Sequence, residues 1–118
     1  MSGGETAAEL LARFAVHGRF YQRRVDGVDH ALRSHLEIFD RAAFTPQQAI
    51  EHPADLVAIM MNPGASRPID ASDPGEWVPA VPDRTQYQLM KLALRASAAG
   101  PAIRHIRVIN LSDLRTPK

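Results

Sequence analysis

Apolar positions change period several times along the chain, and each change marks an element. From Glu5 to His17 the spacing is helical, with Leu10, Leu11, Phe14 and Ala15 on one side and Gly18 placed to end the helix. Phe20 to Val25 reads as extended, and Asp26-Gly27 is a turn signal. Beyond it Leu32, Ser34, Leu36 and Ile38 alternate with Arg33, His35, Glu37 and Phe39, the period of a half-buried strand. Residues 19–40 are therefore expected to form an antiparallel hairpin with an irregular tip.

Thr45-Pro46-Gln47-Gln48 carries the marks of a helix start: a capping hydroxyl, proline at the first helical position, and Gln48 to close a capping box. His52-Pro53 stops that helix early. Leu56 to Met61 is a continuous apolar run, which predicts a parallel, central strand buried on both faces. Residues 62–82, with five prolines and the only tryptophan, Trp77, read as a long Pro/Gly loop over the putative site. Asp83 caps the next helix with Gln86 three residues on. Tyr87, Met90 and Leu94 form its apolar stripe, and Gly100-Pro101 ends it. Ile103 to Asn110 reads as a last strand.

The order strand, loop, helix, strand from 56 to 110 is a βαβ unit. The expected fold is a single α/β domain over residues 1–118, a three-layer sandwich with a mostly parallel sheet, an N-terminal helix and an antiparallel hairpin. Residues 111–118 are polar and offer no helix to cover a parallel sheet, so the domain is expected to be incomplete at its C-terminus or completed by a partner chain. Asn62 and Asn110 would then meet at the carboxyl ends of two parallel strands, where open α/β sheets bind ligands.

Composition narrows the function classes. The chain has 118 residues and a net charge of +1, which gives no bulk argument for nucleic acid or membrane binding. Basic residues are mostly arginine, suited to bidentate recognition of phosphate or carboxylate. With no cysteine, disulfides, thiolate metal sites and a cysteine nucleophile are excluded. No secretory signal or apolar span is evident, so a cytoplasmic location is expected.

Candidate chemistry centres on Asn62-Pro63-Gly64. The Asn62 amide can read a cyclic imide or amide edge, or hold a water, while Pro63 and Gly64 keep the backbone tight for close approach. The same tripeptide also serves as a plain turn after a strand. Trp77 could stack on a planar ligand or anchor its segment to the core. Asp83 and Thr85 open a helix whose amino end could face an anion, and Asp113 follows Asn110 closely enough to line the same pocket. Asp70, Asp73 and Glu76 crowd the long segment; they could do acid/base work or hold a divalent ion, or simply be solvated. The hairpin arginines Arg19, Arg23, Arg24 and Arg33, with His17, His30 and His35, could bind phosphate or form a solvated strand face. His30, His35, His52 and His105 have no metal-ligand spacing, and neither a metal nor a cofactor is implied.

Three short motifs carry a family resemblance. Val57-Ala58-Ile59-Met60-Met61-Asn62-Pro63-Gly64-Ala65-Ser66 resembles the "hydrophobic strand then Leu-Asn-Pro-Ser" signature of an uncharacterised bacterial family, domain of unknown function 1643. Asp83-Arg84-Thr85 and Val108-Ile109-Asn110-Leu111 are similar to that family's later motifs, and Leu114-Arg115-Thr116-Pro117 extends the likeness. Gly64 stands where that family has serine, so a hydroxyl role would pass to Ser66. Asn62-Pro63-Gly64 after an apolar strand also resembles the first motif of mismatch-specific uracil-DNA glycosylases, which implies a glycosylase-like α/β fold and gives Asn62 the role of positioning the attacking water. Met60-Met61 replaces the Gly-Ile that precedes that asparagine, and Asn110-Leu111-Ser112 lies too close to be the second glycosylase motif, which comes far downstream.

Two functional expectations follow. The first is a glycosylase-like domain, enzymatic or degenerate, that binds a nucleobase or similar small polar ligand at the strand ends; Asn62 is the catalytic candidate, and Pro63, Gly64, Ser66, Trp77, Asp83, Thr85, Asn110 and Asp113 are ligand contacts. The second is a non-enzymatic binding or assembly module, completed by a partner or a second copy in a homo-oligomer.

Overall fold

The computed structural model describes residues 5–61, 67–69 and 77–110, except for the side chains of Ala31 and Ser34. The chain folds as a mixed α/β structure. In order it forms α1 (Ala7–Arg13), β1 (Phe14–Val25), β2 (Val28–Asp40), α2 (Pro46–Glu51), β3 (Leu56–Met60), β4 (Arg67–Pro68), β5 (Trp77–Val81), α3 (Arg84–Ala99) and β6 (His105–Asn110). The helix starts follow their sequence signals. Thr6, Thr45 and Asp83 each accept from the backbone N–H three residues on, and Glu9, Gln48 and Gln86 return the bond.

The strands form one six-stranded sheet in the order β3-β6-β2-β1-β5-β4. Among the described residues only β3 and β6 are parallel, with Leu56 opposite Ile106 and Met60 opposite Asn110; the other four pairings are antiparallel. The expectation of a mostly parallel sheet is thus corrected. The long β1–β2 hairpin sits at the centre, flanked by antiparallel β6 on one side and antiparallel β5 on the other.

Three local expectations are also corrected. Residues 14–17 continue β1 rather than the first helix: Phe14 and Val16 point into the core, as does Phe20, with period two. The hairpin tip is regular. Asp26 and Gly27 have φ of 52° and 78°, the left-handed pair of a two-residue turn. The irregularity lies mid-ladder, where pairing steps from Arg19–His35 to Phe20–Arg33 and a β-bulge brings Arg33 to the face that carries Phe20. Inside the expected 62–82 loop, Trp77–Val81 is a strand paired to β1. Its Pro79 supplies only an acceptor, taken by the N–H of Ile69 at 2.9 Å.

Leu10, Phe14, Val16, Leu36, Ile38, Met90, Ala93, Ile106 and Val108 pack between the sheet and helices α1 and α3. On the opposite face, among the described residues, short α2 lays Ala49 against Phe39 and Ala15, with Phe44 beside them. Among the described residues β3 lies at the sheet edge, not its centre. Its Leu56, Ala58 and Met60 pack against the core while Val57 and Ile59 remain 50% and 64% exposed. The run is apolar throughout, yet one face is open, which corrects the reading of burial on both sides. Among the described residues no helix is long and apolar enough to cross a membrane.

Candidate functional site

Strand registers place polar residues in rows across the face that carries α2. One row runs Trp77, Arg19, His35, Ile109, Ile59 from β5 to β3. The next runs Pro79, His17, Glu37, Arg107, Val57, and Phe39 and His105 pair beyond it. Residues as distant in sequence as Glu37 and Arg107, 70 positions apart, therefore meet side by side.

Glu37 is the hub. Its carboxylate is fully buried and accepts from His105 Nε2 at 2.5 Å and from Arg107 Nε at 2.6 Å, with His35 Nε2 at 3.4 Å. A buried carboxylate needs such partners, since an uncompensated buried charge is costly. Arg107 also donates through Nη2 to the carbonyls of Ala49 and His52, at 3.1 and 2.9 Å, capping the carboxyl end of α2. The cluster thus fastens the second-face helix to the sheet.

The row nearer the ends of β3 and β6 is less satisfied. The Trp77 indole stacks on His35 with ring centroids 5.4 Å apart and meets His17 at 5.6 Å. Of its two sequence readings, anchoring to the sheet is what these contacts supply. Trp77 Nε1 and Arg19 Nε in this row, and His105 Nδ1 two rows on, are buried, and none has a hydrogen-bond partner among the described residues. Buried polar groups left unpaired cost about 1–3 kcal/mol each and call for a partner; the indole and guanidinium N–H groups are donors, whereas an imidazole Nδ1 donates or accepts according to its tautomer.

Burial holds the His17 imidazole below its ordinary pKa, and the nearby Arg41 guanidinium adds to the effect. An unfolded imidazole takes up its proton near pH 6.5, the folded one only at lower pH. Between the two values the unfolded chain binds more protons, so this stability is complete above about pH 6.5 and is lost as pH falls through the folded value. Urea denaturation of His17→Gln should therefore show a weaker fall in stability below about pH 6.5 than the parent. Identical pH dependence in the two proteins would contradict the assignment.

The strand-end residues singled out from sequence separate into groups. Asn110 ends β6 opposite Met60, on the face covered by α1 and α3, and exchanges hydrogen bonds with Arg33: Arg33 Nη2 donates to its Oδ1 at 3.5 Å and its Nδ2 donates to the Arg33 carbonyl at 3.3 Å. Arg33 is only 1% exposed, so the bulge places a buried guanidinium at the carboxyl ends of the parallel pair. Asp83 and Thr85 do not join them. Tyr87, one turn on, lines a cleft with Leu11, Val16 and Arg41, at the end of the sheet where the Asp40 N–H donates to the Arg104 carbonyl and β6 begins. Trp77 is at the Asn110 end, but on the other face and three strands away. Asn62, Pro63, Gly64, Ser66 and Asp113 lie outside the described residues, as do Asp70, Asp73 and Glu76.

Sequence reasoning missed Glu37, Arg107 and His105 as a set. The usable signal was two polar residues two apart in each of two strands whose intervening positions are apolar, His35 and Glu37 around Leu36 and His105 and Arg107 around Ile106. Among the described residues no group of three or more histidine, aspartate or glutamate side chains is arranged to hold a metal ion. No protein family, curated protein or solved structure matches the chain.

Proposed function

We propose that this domain binds a small planar ligand rich in hydrogen-bond acceptors, of the nucleobase type, on the row formed by Trp77, Arg19 and His35, with His17 of the next row beside it. The observation that carries the reading is the pair of buried N–H groups, Trp77 Nε1 and Arg19 Nε, that lack a partner among the described residues. Indole and guanidinium N–H groups only donate, so the partner they call for is an acceptor: a ring carbonyl, a carboxylate or a phosphate oxygen. The imidazole and indole rings favour a flat ligand over a compact anion. The row stands level with the ends of the parallel strands, and Asn62 follows two residues after β3 in the chain. In the glycosylase-like reading Asn62 would take the ligand's amide edge or position a water.

A thermal melt of the full chain with uracil, uridine, uridine monophosphate and inorganic phosphate tests the proposal. A ligand at 100 times its dissociation constant adds about 2.7 kcal/mol, which moves the midpoint of a domain this size by roughly ten degrees. A base-containing ligand should raise the midpoint, and Arg19→Ala should reduce that response. A midpoint unmoved by all four, or a response to phosphate alone, would overturn the proposal.

A further inference from the structure

A second site is built where β5 peels away from the start of β1. Pairing between these strands covers only residues 17–19 of β1 and 77–79 of β5. Beyond it a cleft of about 450 Å³ opens, a volume within the range of small-molecule pockets. Its walls are mostly apolar: Leu11, Val16, Ile69, Val81 and Pro82 are among them. Three polar side chains complete the lining, His17, Arg41 and Tyr87, and among the described residues no carboxylate joins them.

The electrostatics are one-sided. Among the described residues, Arg41 is the only permanently charged group of the lining. Its Nε donates to the Leu11 carbonyl at 2.8 Å, which fixes the guanidinium at the cleft, and its terminal nitrogens make no hydrogen bond among the described residues. The neighbouring carboxylate, Asp40, is engaged elsewhere: one oxygen accepts from the Ala42 N–H at 2.8 Å and the other lies 3.7 Å from Arg13 Nε. A guanidinium fork with N–H groups to offer is matched to a carboxylate, and the apolar walls to a hydrocarbon or aryl body.

We propose that this cleft binds a small amphipathic carboxylate, its head group on Arg41 and its apolar body between β1 and β5. His17 stands at the boundary with the Trp77 row, but the ligand, the anchoring residue and the volume are different, and the inference does not depend on the nucleobase reading. His17, whose pKa is lowered by burial and by Arg41, would be brought back toward its ordinary titration range by a bound carboxylate.

The test compares octanoate with octylammonium, which share a tail and differ in head-group charge, by thermal melt and by isothermal calorimetry on the full chain. Octanoate should bind saturably and at least about tenfold more tightly than octylammonium, and Arg41→Gln should weaken octanoate about tenfold, with Arg41→Lys intermediate. The His17 ring proton, followed by NMR, should titrate at higher pH with octanoate present. Equal binding of the two head groups, no binding of octanoate, or undiminished binding by a folded Arg41→Gln would each overturn the proposal. Should Arg41→Gln not fold for want of its bond to Leu11, the head-group comparison on the parent decides. A failure with uracil compounds leaves these readouts untouched, so the two proposals fail separately.

Discussion

Replacing Glu37 by leucine is expected to cost about 3–5 kcal/mol, because it breaks a buried ionic cluster from its centre. Leucine fits the volume, so the loss comes from what stays behind. His105 Nε2 loses its acceptor in a fully buried position, His35 loses its charged neighbour, and Arg107 keeps only its two carbonyl contacts to the end of α2. In a domain of this length the loss corresponds to a fall in midpoint well beyond ten degrees. Urea denaturation of parent and variant, compared at equal slope, measures it directly. A loss below about 1 kcal/mol, the scale of an exposed ion pair, would mean that the carboxylate is solvated rather than enclosed. Because α2 is tied to the sheet through Arg107, the same variant should also expose the α2 segment to proteolysis before the core.

Leu36→Ala is the second large effect, expected at about 2–5 kcal/mol. Leu36 is fully buried in a central strand between Val108 on β6 and Gly18 on β1. Glycine offers no side chain to move into the hole, and the Phe20 ring is already committed over it. A Cβ built on Gly18 would meet the Phe20 ring at 2.7 and 2.9 Å. Poor collapse places the cost in the upper part of the range for such truncations. The reverse change, Gly18→Ala, forces the ring aside and should cost about 1–3 kcal/mol by overpacking. Chemical denaturation of the two single variants checks both; a Leu36→Ala protein as stable as the parent would show that this layer is not packed as described.

Local chemistry alone makes much of the architecture readable. Thr45, Pro46 and Gln48 announce α2, Asp83 and Gln86 announce α3, and Asp26-Gly27 announces the hairpin turn, each because a single orphan N–H or positive φ demands those residue types. Period alone is a weaker guide. Leu10, Leu11, Phe14 and Ala15 satisfy a helical face, yet Phe14 and Val16 are equally a strand face, and pairing with β2 decides for the strand. The apolar run at 56–61 correctly signals a strand parallel to a neighbour, but nothing in it says whether another strand lies on its far side. The proline at 79 hides β5, because a missing N–H argues against a strand unless its partner asks only for the carbonyl.

The candidate site is less legible for a physical reason. Its members are contributed by four strands, and only the register of the sheet brings them together. His35 and Glu37 look like the solvated side of an amphipathic strand; burial of that side follows from α2 and from the opposite charge of Arg107 across the ladder. The bulge that buries Arg33 beside Asn110 leaves no pattern in the residues themselves. Trp77 is visible as a rare aromatic in a polar segment, though not the imidazoles against which it packs.

The lone tryptophan makes the central claim directly measurable. Emission of Trp77 should be quenched saturably as uracil or uridine monophosphate is titrated into the full chain, with the dissociation constant matching the shift in melting midpoint, and Arg19→Ala should weaken the titration. Emission that stays constant while the midpoint still rises would place the ligand away from this row and contradict the assignment.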